Sequence, residues 1–269
     1  MRTIVHVSDI HFGRLDPATV RPLREAIARA APDLLAVSGD LTQRARRQEF
    51  AAAQGFLEGL PFRRLVVPGN HDVPLYNVFT RFLAPLARYR HAITDDLSPV
   101  YRDDEMIVVG VNTARSRTWG EGRINARQVD DVVAHLSGAP RDLIRIVVTH
   151  HPFDLPVGVR EGRLLGRATM AMAKLSTAGA DLFLAGHLHV SHIGHTAERY
   201  QIAGHSALVV QAGTVSTRSR GEQPSFNVLR IQRPEISVAR MVWDQSAGGF
   251  SETAESRYRH GEIGWVKCA

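Results

Sequence analysis

Cysteine is almost missing from this chain: Cys268 is the single one in 269 residues, so no internal disulfide can form and no thiolate-rich structural zinc site can be built. Such usage fits a reducing compartment, and a cytoplasmic location is the expectation. Long apolar runs are missing as well. No stretch approaches the roughly 18 residues that a membrane-spanning helix requires, so no span is expected. The apolar part of the opening M-R-T-I-V-H-V is too short for a secretory leader. Lysine is scarce: Lys174 and Lys267 are the only two, which leaves 31 of the 33 basic residues as arginine. Those arginines are scattered, several of them (Arg21, Arg24, Arg29, Arg44, Arg46, Arg47) along helical patterns, so a net charge of +6 does not announce a nucleic-acid surface. Repeats and low-complexity tracts are absent too. At 44% hydrophobic and 22% charged, the composition excludes disordered and collagen-like classes and leaves a folded domain with one large core.

What the chain does have is a recurring pattern. Five short apolar runs each end in turn-forming or metal-competent residues. Ile4 to Val7 leads into Ser8-Asp9-Ile10-His11, Leu34 to Val37 into Gly39-Asp40, and Leu65 to Val67 into Gly69-Asn70-His71-Asp72. Ile144 to Val148 leads into Thr149-His150-His151-Pro152, and Leu182 to Ala185 into Gly186-His187-Leu188-His189. Runs of this length and type suit strands buried on both faces. Amphipathic segments lie between them. Pro17 to Ala31 carries Val20, Leu23 and Ile27 near helical spacing, with Asp16 placed to cap and Pro17 at the first helical position. Similar patterns cover about 45–58, 76–89, 125–137 and 164–178. The alternation predicts parallel βαβ units, with the polar clusters beyond the carboxyl ends of the strands, where ligands collect in such sheets.

The downstream part reads differently. Met106 to Val111, about 200–203, Leu208 to Gln211, Phe226 to Ile231 and Ile236 to Val242 are strand-like with few helices between, which predicts an antiparallel sheet packed on the first. The polar, Gly-rich stretch 244–257 reads as a loop before a tail ending near Trp265, so the expected organisation is a domain over 1–243 followed by a loop and tail over 244–269.

Each polar cluster alone is weak evidence, because Asp, Asn and Gly favour turns anyway. Together they offer the carboxylates of Asp9 and Asp40, the amide of Asn70 and the imidazoles of His11, His150, His187 and His189. That nitrogen and oxygen donor set suits Mn, Fe or Zn rather than ions that prefer oxygen alone. The order D-x-H, G-D, G-N-H-D, H-x-P and G-H-x-H, running from residue 9 to 189 without a departure, resembles the calcineurin-like metallophosphoesterase family.

The resemblance implies an α/β fold, a four-layered αββα sandwich of two mixed sheets flanked by helices, with two divalent or trivalent metal ions at one edge. Carried onto this sequence, the first ion takes Asp9, His11, Asp40 and His189; the second takes Asp40, Asn70, His150 and His187, with Asp40 shared. It implies hydrolysis of a phosphoester by a hydroxide held between the ions. His71 then bonds the phosphate and protonates the leaving oxygen, while Asp72 orients its ring. Within the family, the overall length and the stretch Gly122-Arg123-Ile124-Asn125-Ala126-Arg127-Gln128 look most like bacterial (class III) phosphodiesterases of the cyclic-nucleotide type.

Other residues are weighed against plainer roles. His151 is expected to point away from the ions, beside ligand His150. His192, His195 and His205 are read as surface or hydrogen-bonded imidazoles, because the ligand shells are already filled. Arg218 and Arg220, in the polar loop 213–221, are candidates for binding an anionic substrate. Asn112 is a weaker candidate of the same kind; for it, Arg115 and Trp119, packing or loop roles compete. The expected partners are a small phosphoester substrate and, left open, a second copy of the chain; nucleic acid is not expected. Three alternatives differ in what they require. A hydrolase of UDP-linked lipid pyrophosphates should show an exposed apolar patch or a basic amphipathic element. A nuclease should show a continuous basic groove, and a non-catalytic metal-binding scaffold would need no working site.

Overall fold

The computed structural model describes the chain apart from Trp119, residues 201–205, Ile263 and Ala269. Trp119, His205 and most of the strand expected at about 200–203 therefore lie outside the described residues. The first half alternates as the patterning dictates: β1 (Arg2–Val7), α1 (Pro17–Ala30), β2 (Leu34–Ser38), α2 (Arg47–Glu58) and β3 (Arg64–Val67). Asp16 accepts a hydrogen bond from the Ala18 amide at 2.9 Å, which caps α1 ahead of Pro17. Two short helices, α3 (Val78–Leu83) and α4 (Ala87–Ala92), then lead to β4 (Val100–Arg102), β5 (Met106–Val111), α5 (Ala126–Ser137) and β6 (Ile144–Thr149). Next come α6 (Ala168–Thr177), β7 (Leu182–Ala185), β8 (His192–His195), α7 (Thr196–Arg199) and β9 (Leu208–Gln211). The chain ends in β10 (Ser225–Gln232), β11 (Glu235–Asp244), β12 (Gly249–Gly261) and β13 (Gly264–Lys267).

These strands form two mixed sheets. One is seven-stranded, in the order β13-β12-β11-β10-β1-β2-β3, and the other six-stranded, in the order β4-β5-β6-β7-β9-β8. Within them β1, β2 and β3 run parallel, as do β5, β6, β7 and β9. Side chains alternate between layers. Ile4, Leu34 and Ala36 meet Ile144, Ile146 and Val148 in a core between the sheets. Val5, Val7, Leu35 and Val37 face α1 and α2 on one outer side, while Val109 and Val147 face α5 and α6 on the other. Three apolar cores separate four layers, and the architecture is the αββα sandwich.

Three expectations are corrected. The later strands do not make an antiparallel sheet of their own. β10 pairs antiparallel with β1 (Arg2 opposite Ile231) and extends the first sheet, while β5 and β9 join the second as parallel members. The segment at 76–89 is two helices rather than one. Pro85 lacks an amide hydrogen and disfavours helical backbone at Ala84, which turns away at φ −149°. Residues 244–269 are not a loop and tail: the turn is confined to 245–248, and β12 and β13 follow. β12 reads as loop because its outer face is solvated; only Phe250 and Tyr258 of its side chains are buried. Trp265 anchors β13 in the inter-sheet core, its indole donating to Asp181 Oδ1 at 3.3 Å.

Candidate metal centre

The carboxyl ends of β1, β2, β3, β6 and β7 point to one edge, and the loops that follow them carry the candidate ligands. Five of these residues, Asp9 (φ 53°), His11 (φ 49°), Asp40 (φ 53°), His187 (φ 72°) and His189 (φ 59°), hold left-handed backbone. Such conformations cost a non-glycine residue about 1–2 kcal/mol each and concentrate at functional sites. The neighbouring glycines give them room. Gly39 has φ +89°, and a Cβ there would sit 2.7 Å from His150 Nδ1. A Cβ on Gly186 would sit 2.5 Å from Asp9 Oδ2.

Asp9, His11, Asp40 and His189, all buried, form the first group. Ser8 Oγ donates to Asp9 Oδ2 at 2.7 Å and the His187 amide donates to it at 2.8 Å, which turns Oδ1 toward His189 Nε2 (3.1 Å) and His11 Nε2 (3.5 Å). His189 Nδ1 donates to the Arg218 carbonyl at 2.7 Å and His11 Nδ1 to the Thr42 carbonyl at 3.2 Å. In the neutral rings both Nε2 atoms are then lone-pair acceptors, yet they face each other at 3.1 Å. Only positive charge between them, a proton or a metal ion, makes that arrangement favourable. Asp9 Oδ1 accepts no hydrogen bond although it is buried.

His150 and His187, with Asn70 between them, form the second group. His150 Nδ1 donates to the Ser38 carbonyl at 2.8 Å, leaving Nε2 at 3.1 Å from Asn70 Oδ1 and 3.4 Å from Asp40 Oδ2. His187 Nδ1 lies 3.1 Å from the same Asn70 oxygen. Asp40 links the groups: its Oδ2 is 3.7 Å from His11 Nε2, while its Oδ1 accepts from the His71 amide at 2.8 Å. The expectation that His151 points elsewhere is corrected. Its ring packs 4.8 Å from His150 and 4.6 Å from His187, with Nδ1 2.8 Å from Thr113 Oγ1. His151 thereby joins His150 and His187 as a third imidazole of the second group.

Burial favours neutral forms, and charge opposes it where the carboxylates are close. Burial would raise the Asp9 carboxyl, but positive charge on His189 and the close His11 imidazole hold it well below the usual carboxylate range. Asp40 is lowered in the same way, burial being outweighed by His150 and His71. Burial lowers His150, yet Asp40 more than compensates and lifts it to about 9. Burial and the charge on His150 push His187 down to about 3, and burial keeps His151 well below its ordinary value. A neutral imidazole is the form that binds metal.

These observations fit two metal ions. An orphaned carboxylate oxygen, acceptors facing acceptors, and imidazoles gathered with carboxylates in nitrogen and oxygen donor sets are what transition ions require. The first group with Asp40, and Asp40 with Asn70, His150 and His187, are the residues that would hold them.

Of the two residues expected to handle a proton, Asp72 is placed differently from expectation. His71 Nδ1 donates to the Gln43 carbonyl at 2.7 Å, and its Nε2 accepts from Arg218 Nη1 at 2.9 Å. Asp72 does not orient that ring. It accepts from the amides of Gly69 (2.9 Å), Thr42 (2.9 Å) and Leu41 (3.3 Å) and from Thr42 Oγ1 (3.0 Å), tying the loops after β2 and β3 together. Burial and the nearby Asp40 push its carboxyl up to about 6. Gln43 does the orienting through a main-chain oxygen, which no side-chain pattern reveals. Ser8, Thr42 and Thr113 are further polar supports that motif reading passes over.

Arg218 is in the site, its guanidinium also 3.3 Å from His11 Nε2. Arg220 is exposed, with Arg163 and Arg218 near enough to lower its pKa further after burial. Asn112 is no part of the constellation: its Oδ1 accepts from the Ala114 amide at 2.9 Å and its carbonyl from Gln128 at 2.7 Å, a turn role. Arg115 buttresses the same turn. His192 lies 3.8 Å from Asp154 Oδ2 and His195 packs on Tyr258, both on edge strand β8 away from the two groups.

Comparison with known proteins agrees with this geometry. Over 179 residues the chain is 28% identical to the glycerophosphodiester phosphodiesterase GpdQ of Enterobacter lignolyticus (strain SCF1), covering 58% of each protein. The chain thus spans under two thirds of that relative's length. A dimetal phosphatase from Danio rerio superposes with a TM-score of 0.65 at 12% identity, over 88% of this chain and 95% of that one. The purple acid phosphatase PPD1 of yellow lupin (Lupinus luteus) does so with a TM-score of 0.68 at 10% identity, over 94% of this chain and 53% of that one. The calcineurin-like phosphoesterase model matches residues 2–191, and the chain, with its buried His and Asp clusters, belongs to that family of metal-dependent phosphoesterases.

Proposed function

We propose that the chain is a two-ion phosphodiesterase acting on small phosphodiesters, 3′,5′-cyclic nucleotides among them. The observation that carries this reading is a cavity of about 90 Å³ opening from Asn70 and His71 toward Gln43, Leu75 and Thr118. A diester must place a second, non-reacting substituent beside the phosphate, and this space adjoins Asn70 and His71. The volume suits a small alcohol-derived group and is far from the channel an acyl chain would want. The name of the bacterial relative, a glycerophosphodiester phosphodiesterase, supports the same substrate class.

The residues divide the work. When bound, two ions polarise phosphoryl oxygens and make water nucleophilic near neutral pH. Arg218 pairs with a phosphate oxygen, and its carbonyl keeps His189 aligned. His71 is held by Gln43 through Nδ1; once Arg218 turns from His71 Nε2 to the phosphate, that nitrogen holds the proton that passes to the departing alkoxide as the phosphorus–oxygen bond breaks. Arg44 and Leu75 border the second ester group.

The test is kcat/KM for a matched diester and monoester on metal-loaded protein, with cyclic nucleotides in the same panel. A higher value for the diester is expected; a clear monoester preference refutes the reading. Arg218→Ala should raise KM more than it lowers kcat, as expected for a group that binds substrate and transition state alike.

A further inference from the structure

Helix α3 is built inside out. Its apolar side chains Val78, Phe79, Phe82 and Leu83 fall within an arc of about 140° at 100° per residue. All four face solvent, Phe79 at 80% and Leu83 at 82% exposure, and Tyr76 just before the helix is exposed as well. The one charged residue points the other way: Arg81 is 3% exposed, donating to the carbonyls of Pro74 (3.0 Å) and Thr118 (2.7 Å). A surface helix in water buries its apolar stripe and shows its charge. This one does the reverse, and such a contiguous exposed patch marks an interaction surface.

Charge decides what covers it. From Val73 to Ala92 there is no Asp or Glu, and beyond the inward-facing Arg81 the segment carries Arg88, Arg90 and His91. Exposed Arg44 lies 5.4 Å over the Tyr76 ring, and exposed Arg117 adjoins Thr118, the residue that receives Arg81. The nearest acid beyond α4, Asp95, is already 3.8 Å from Arg90. In a twofold dimer built on this face, the exposed Arg44 and Arg117 would approach their own copies. An anionic bilayer instead accepts the apolar side chains below its headgroups and the arginines among them.

We propose that α3 docks the protein on an anionic lipid surface. Arg81 and Leu75 line the same cavity as Asn70 and His71, so docking brings the mouth of the metal centre to the membrane interface. No helix among the described residues is long and apolar enough to cross a membrane, and the attachment is peripheral. This inference stands apart from the reaction proposed above, and the experiment keeps the two separate.

Metal-loaded protein is sedimented with vesicles of phosphatidylglycerol and phosphatidylcholine mixed, and of phosphatidylcholine alone. Binding to the mixed vesicles is expected, with a loss of about tenfold or more in Phe79→Ser/Leu83→Ser. Arg44→Gln and Arg117→Gln should each cost about fivefold. The double variant should keep its unfolding midpoint and hydrolyse a dispersed diester at the wild-type rate. No binding to either vesicle overturns the proposal, and equal binding to phosphatidylcholine alone overturns the choice of an anionic surface. A wild-type dimer that Phe79→Ser/Leu83→Ser dissociates in sedimentation equilibrium also overturns it, giving the face to a second copy. Intact vesicle binding with no diester hydrolysis upholds the docking and removes only the reaction.

Discussion

Asp40 and His71 sit a few ångströms apart and meet opposite demands. Asp40 is fixed between two groups of imidazoles and is kept ionised, whereas His71 is tied to the main chain through Nδ1, with Nε2 turned to the site, where it accepts from Arg218. In the proposed reaction, a residue held that way would move a proton without holding metal. His71→Ala should therefore retain metal and lose about 10²–10⁴ in kcat. The loss should shrink on esters whose leaving group is a weak base; an equal loss on all esters would make His71 a positioning residue instead. Asp72, two positions from Asn70, has the contrary signature. Because it gathers three amides and a hydroxyl from two loops, Asp72→Ala strands buried donors and should cost about 2–4 kcal/mol of stability in urea unfolding. Unchanged stability with selective loss of turnover on poor leaving groups would restore it as the partner of His71. The candidate ligands were legible in the sequence because each type of donor follows an apolar strand in a fixed order. The orienter of His71 was not, since the Gln43 carbonyl is chemically the same in any residue, and a carboxylate beside an imidazole in sequence need not touch it in space.

At the scale of elements, the site depends on loops that give up comfortable backbone. The left-handed residues at the ends of β1, β2 and β7 persist because glycines beside them let the loops close on one another. Gly186→Ala places a methyl against Ser8 and Asp9, and should destabilise the protein by about 1–3 kcal/mol and loosen the first metal group. An Ala variant with unchanged unfolding midpoint and metal content would show that the loop has room to relax. The same scale explains which elements were readable. Strands covered on both faces, such as Ile144–Thr149, announce themselves by unbroken apolar residues. β12 has one face in water and long polar stretches, so its pairing with β11 is set by the hairpin turn and by Phe250 and Tyr258 rather than by composition. α3 misleads in the opposite direction, because an apolar periodicity normally read as core faces outward here.

For the whole molecule, two sheets that each end at the same edge make metal binding a property of the fold rather than of one segment. Donors come from residues 9 to 189, so a bound ion joins loops that no single element holds together. Removing the ions should then lower global stability. At a free ion concentration a hundred times Kd, binding contributes about 2.7 kcal/mol, which for a chain of this size corresponds to about 5–10 °C in Tm. A chelator that leaves Tm unchanged would mean that the described loops hold their positions unaided. The two-ion centre is the basic claim, and elemental analysis of purified, metal-reconstituted protein tests it most directly, wild type beside Asp40→Ala. The geometry predicts about two transition-metal ions per wild-type chain and less than one in the variant, because the carboxylate common to both groups is gone. A wild-type chain that holds one ion or none, or an Asp40→Ala chain that keeps two, would contradict it.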